Sequence, residues 1–157
     1  MSEHRTNKPI NGGASFYRRH LPHWRQDHAT YFVTWRLARG EPELDSSERD
    51  LVMAAIRKFD GQRYELSAFV VMDDHVHVLL APLPPHEVRA ILHSWKSFTA
   101  RQMQREHKKL GPVWQNEYFD RIVRDDHEFL QKAAYIAGNP NKRWPEIRNY
   151  PWVWPEQ

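Results

Sequence analysis

Phe69-Val70-Val71-Met72-Asp73-Asp74-His75-Val76-His77-Val78-Leu79-Leu80 decides the fold of this chain. Two apolar, β-branched runs flank an acidic pair, which predicts two strands joined tightly through Asp73-Asp74 as an antiparallel hairpin. Successive strand side chains alternate faces, so His75 and His77 point one way and Val76 and Val78 the other. Two imidazoles on one rigid strand face can share a divalent metal ion. A lone His-x-His is more often a half-buried strand with hydrogen-bonded histidines, so the decision rests on what the rest of the chain brings to that face.

Upstream, Ala29 to Leu37 is β-branched and aromatic and predicts a first strand, ended by Gly40 and Pro42. Asp45 or Ser46 caps a helix from about Ser47 to Phe59, with Leu51, Val52, Ala55, Ile56 and Phe59 as its apolar stripe. Arg63 to Met72 and His75 to Ala81 form the hairpin. After Pro82, Pro84 and Pro85, a long helix over roughly His86 to Lys109 carries Val88, Ile91, Leu92, Trp95 and Met103 at core spacing. Trp114-Gln115 reads as loop and Glu117 to Arg124 as a fourth strand. Asp125 or Asp126 caps a last helix that Pro140 stops at about Asn139. The order β-α-β-β-α-β-α predicts an α+β fold, a ferredoxin-like four-stranded antiparallel sheet with two crossover helices plus a C-terminal helix.

The 157 residues suit one domain with a real core: a basic arm over 1–27, a core over 28–143 and a Trp-rich tail over 144–157. Cysteine is absent, which rules out disulfides and thiolate zinc sites. Neither a membrane-length apolar run nor a secretory leader is evident, so the expectation is cytoplasmic, with no membrane partner. Charge is uneven: residues 1–40 hold seven Lys/Arg against two Asp/Glu, and residues 41–80 hold four against nine. Basic ends and seven tryptophans suit a polyanion with stackable bases. Candidate phosphate contacts are Arg18 and Arg19 in the arm, Lys96, Arg101 and Arg105 on the long helix, and Arg121 and Arg124 near the fourth strand. The plain alternative for each is a solvated cation.

The last helix carries the second half of the chemistry. At 100° per residue, Phe129, Leu130, Ala133, Ala134, Ile136 and Ala137 form a broad apolar side, and Tyr135 falls opposite. A packing tyrosine belongs in the stripe, and this one is free to face something polar. Its oxygen can attack phosphorus and later leave, conserving the energy of the broken phosphodiester in a phosphotyrosyl ester. A metal on His75 and His77 polarises the scissile phosphate. Asn139, one turn beyond Tyr135, can add a ligand oxygen, with Gln131, one turn before, as its competitor; the plain reading of Asn139, ahead of proline, is a C-capping residue.

His75-Val76-His77, Trp114-Gln115, Arg121-Ile122-Val123-Arg124 and Tyr135-Ile136-Ala137-Gly138-Asn139-Pro140 together resemble the single-tyrosine HUH transposases, closest to the REP-associated tyrosine transposases, over roughly residues 28–143. The resemblance implies a ferredoxin-like fold and a Mg²⁺ or Mn²⁺ cofactor. It also implies nicking and rejoining of single-stranded DNA beside a REP-like hairpin through a 5′-phosphotyrosine. It makes Tyr135 the nucleophile, His75 and His77 metal ligands, and Asn139 the third ligand where related groups place glutamine. A monomer and a homodimer are both compatible with it. The rival reading is a non-catalytic hairpin DNA- or RNA-binding protein that keeps the residues but not the reaction.

Overall fold

A computed structural model describes residues 29–156. Arg18 and Arg19 lie outside the described residues. The elements are β1 (Thr30–Leu37), α1 (Ser46–Arg57), β2 (Tyr64–Val71), β3 (His75–Pro82), α2 (Val88–Glu106), β4 (Trp114–Val123), α3 (Asp126–Arg143) and β5 (Val153–Trp154). The sheet runs β4-β1-β3-β2-β5 with every neighbouring pair antiparallel. Its first four strands have the ferredoxin-like order, and β5 is an addition.

Alternation along the strands builds two cores. Val33, Trp35, Phe69, Val71, Val76 and Val78 point to one face, under Val52 and Ile56 of α1 and Ile91, Leu92 and Trp95 of α2. Phe32, Ala68, Val70, Met72 and Leu79 point to the other face, under Phe129, Ala133 and Ile136 of α3. A one-residue slip would exchange these sets, so burial on both sides pins the register.

Local chemistry sets most boundaries. Asp45 and Glu48 form a reciprocal capping box at the start of α1, with Glu48 N–H donating to Asp45 Oδ1 at 2.8 Å and Asp45 N–H to Glu48 Oε1 at 3.0 Å. Asp125 caps α3 through the Glu128 N–H at 2.8 Å. The hairpin turn is closed by Met72 N–H donating to the His75 carbonyl at 2.8 Å.

Three expectations are corrected. Trp114-Gln115 belongs to β4 instead of a preceding loop. The sheet has five strands, because Val153 and Trp154 pair with Val70 and Phe69 along the free edge of β2. A two-residue strand between Pro151 and Pro155 shows no period, yet Val153 is buried and Trp154 stacks on Phe69 with ring centroids 6.1 Å apart. Finally, Pro140 does not stop α3, which continues to Arg143. Proline withholds one N–H from the ladder, but the next turn still closes through Trp144 N–H to the Pro140 carbonyl at 2.8 Å. Arg143 then anchors that turn on Asp73 at 3.1 Å and Glu43 at 3.5 Å.

Candidate metal and nucleophile site

The register of three strands assembles the site. Thr34 of β1 lies opposite His77 of β3 on one side and Phe119 of β4 on the other, and opposed residues share a face. The row His77–Thr34–Phe119 therefore crosses the sheet on the side covered by α3. The His75 and His77 rings are 4.7 Å apart, centroid to centroid.

Each imidazole has its Nδ1 engaged. His77 Nδ1 is 2.7 Å from Thr34 Oγ1 in a buried hydrogen bond. His75 Nδ1 is 2.6 Å from Asp74 Oδ1. A carboxylate only accepts, so Nδ1–H of His75 is the donor, which in the neutral ring leaves the lone pair on Nε2. That Nε2 faces the amide oxygen of Asn139 at 3.2 Å. Two acceptors pointed at one another need a proton or a cation between them. His77 Nε2 is buried and has no hydrogen-bond partner among the described residues. Burial, reinforced by His75, Arg36 and Lys132, pushes the His77 imidazole down to about 3, so it stays neutral and keeps a lone pair. An orphaned Nε2, a second Nε2 and an amide oxygen, with both Nδ1 atoms fixed from behind, fit a divalent cation.

The turn that carries these ligands is braced. Leu37 N–H donates to the Asp74 carbonyl at 2.9 Å and Leu44 N–H to the Asp73 carbonyl at 2.7 Å. Asp73 is buried and bonded to Arg143. Partial burial opposes ionisation of Asp74, but the hydrogen bond and charge of His75, with Arg143 behind, outweigh it and hold the carboxyl below its ordinary value.

Tyr135 is 44% exposed, yet it does not point away from the sheet. Its ring meets His77 edge-on at 5.2 Å and Phe32 at 6.1 Å. Helical rotation explains the arrangement: Asn139, Tyr135 and Gln131 lie about 80°, 120° and 160° from Phe129 on one flank of α3. The flank dips into the sheet at Asn139, which is buried, grazes it at Tyr135 and leaves it at Gln131, which is exposed. Asn139 lies inside the lengthened helix and is not its cap. Lys142 Nζ lies 5.7 Å from the Tyr135 ring and Lys132 Nζ 4.9 Å from that of its neighbour Phe32. A cleft of about 550 Å³ opens here, lined by Phe32, Thr34, Arg36, His77, Phe119, Lys132 and Tyr135 among others.

The other predicted contacts are dispersed. Lys96, Arg101 and Arg105 sit on α2, across the sheet from the histidines. Lys96 is committed to the carbonyls of Gln115 at 2.6 Å and Asn116 at 3.1 Å, and burial pushes its ammonium down. Arg121 pairs with Glu128 at 2.5 Å, on the same sheet face as Thr34, and Arg124 is exposed beyond it. Sequence reasoning missed Thr34, Asp74, Arg36 and Lys132. Only Asp74 announced itself, and it read as a turn residue. A second group, Asp45, Glu48 and His107, also gathers ligand atoms within 4.8 Å of one another. Lys109 Nζ stands 2.9 Å from Glu48 there and already neutralises it. No helix among the described residues is long and apolar enough to cross a membrane.

The family profile of IS200-like transposases matches residues 27–139. Among solved structures, a REP-associated tyrosine transposase bound to a REP hairpin aligns with a TM-score of 0.67 at 20% identity, covering 85% of this chain and 82% of that one. A candidate transposase from Deinococcus radiodurans R1 aligns with a TM-score of 0.53 at 24% identity, covering 74% and 95%. Both share the fold. No curated protein matches.

Proposed function

Because this chain belongs to the IS200-like transposase family, we propose that it cleaves and rejoins single-stranded DNA beside a hairpin, with Tyr135 as nucleophile. The observation that carries the reading is the buried Nε2 of His77, without a hydrogen-bond partner among the described residues, in a ring that meets Tyr135 edge-on. Buried side-chain nitrogens are mostly hydrogen-bonded, so one without a partner among the described residues suits a ligand that the protein itself does not supply.

In this reading Tyr135 Oη attacks the scissile phosphorus. The phosphotyrosyl ester forms as the bond from phosphorus to the 3′ oxygen breaks, and that oxygen takes up a proton as the 3′ hydroxyl. A DNA 3′ hydroxyl later attacks the ester, restores a phosphodiester and returns the tyrosine, with no nucleotide triphosphate consumed. Lys132 and Lys142 offset the charge of a phosphate beside the ring. His75, His77 and Asn139 would hold Mg²⁺ or Mn²⁺, which supplies Lewis-acid polarisation of the phosphate. Thr34 and Asp74 fix the imidazole orientation from behind. The likeness to a hairpin-bound relative supports a DNA hairpin as partner.

The test is incubation of the protein with hairpin-bearing single strands, with and without Mn²⁺. A DNA–protein adduct that survives denaturation, forms only with the metal and carries the 5′ phosphate is expected. Hairpin binding with no adduct under any metal would favour a binding protein that has lost the reaction.

A further inference from the structure

Phe119 is 56% exposed in the middle of β4, on the sheet face that carries His77. An isolated exposed apolar side chain is ordinary, but the place of this one is not. It ends the row His77–Thr34–Phe119, two strand spacings or roughly 10 Å from the histidine. It also lines the same cleft as Tyr135. A phenyl ring has no polar handle, so it contributes there only by apolar contact or stacking.

Arg36, Lys132 and Glu117 line the same cleft, and Arg121, two residues along β4 on the Phe119 face, is already paired with Glu128. An uncharged, flat ring offers nothing to a phosphate and suits the face of a base. We propose that Phe119 is a base-stacking platform for an unpaired nucleotide adjacent to the reacting phosphate. The proposal rests on the DNA-cleavage reading and adds how the strand is seated beside the nucleophile.

Tyr135→Phe protein, which lacks the attacking oxygen, is titrated with single strands that join a hairpin and carry 2-aminopurine at successive positions. One position should show stacking-quenched fluorescence. Phe119→Ala should abolish that quenching and weaken binding by about 5- to 150-fold, the range of one base–aromatic stack. Phe119→Trp should retain it, and Phe119→Leu, equally apolar and still strand-compatible, should not. An abasic residue at that position should weaken the parent protein by a similar factor and Phe119→Ala no further. Quenching and affinity unchanged in Phe119→Ala, or full recovery with Phe119→Leu, would overturn the proposal. Adduct formation by the Tyr135-containing protein is scored separately. An adduct with no Phe119 dependence defeats the platform alone. Stacking without any adduct defeats the cleavage reading and leaves a base bound at Phe119.

Discussion

Thr34 Oγ1 stands 2.7 Å from His77 Nδ1, across the β1–β3 ladder, and the opposite ring nitrogen is buried with no partner among the described residues. The bond holds the ring in place, and with the hydroxyl accepting from Nδ1–H the lone pair is left on Nε2 for a cation. Thr34→Val keeps shape and burial but removes that acceptor. Loss of such a supporting contact costs about 10- to 100-fold in metal affinity. We expect a Mn²⁺ titration to show a loss in that range, with Thr34→Ser restoring much of it. Equal affinity in the parent and Thr34→Val would detach Thr34 from the site.

Asn139 and Gln131 are separated by the same reasoning. Asn139→Ala should weaken Mn²⁺ binding and adduct formation together, whereas Gln131→Ala should leave both unchanged. The amide oxygen of Asn139 is 3.2 Å from His75 Nε2, and Gln131 is exposed where the same flank of α3 leaves the sheet. Isothermal titration of the two variants decides it; the opposite ranking would move the third ligand one turn earlier.

The basic residues of α2 face a separate test. Lys96 braces β4, so Arg101 and Arg105 are the ones to neutralise. If each contacts a phosphate, the slope of log affinity against log salt should fall by about 0.7 per residue for a single strand. The Arg101→Gln, Arg105→Gln double variant should lose affinity for hairpin and unrelated strands alike. An unchanged slope would make both solvated surface cations, consistent with their position across the sheet from the histidines.

The sequence made the sheet legible because alternation and turn residues are local. Tyr31 to Leu37 and Val70 to Leu80 carry their own period, and Asp45 with Glu48 spells out a cap. What escaped depends on partners distant in sequence. The pairing of Thr34 with His77 exists only once β1 and β3 are in register. β5 is two residues long and is defined by Phe69 and Val70. Pro140 looked terminal because a helix loses a bond there, yet Arg143 finds Asp73, 70 residues earlier, and carries the helix on. Tyr135 read as facing away from the stripe, but an angle of about 120° on a helix lying across a sheet still brings a long ring onto its neighbours. His75, His77, Tyr135 and Asn139 were all readable as residues; the Nδ1 supports and the Phe119 end of the cleft were not.

The most direct measurement of the central claim is covalent capture of a hairpin-bearing strand by Tyr135→Phe beside the parent protein. Mass spectrometry of the digested adduct locates the attachment, and hairpin binding is followed in parallel. The account predicts a nucleotide phosphate on Tyr135 in the parent and no adduct in Tyr135→Phe, with hairpin affinity within about twofold, since the change removes one oxygen from a half-exposed ring. An adduct that still forms in Tyr135→Phe, with Tyr118 in the same cleft as the first place to look, would contradict it.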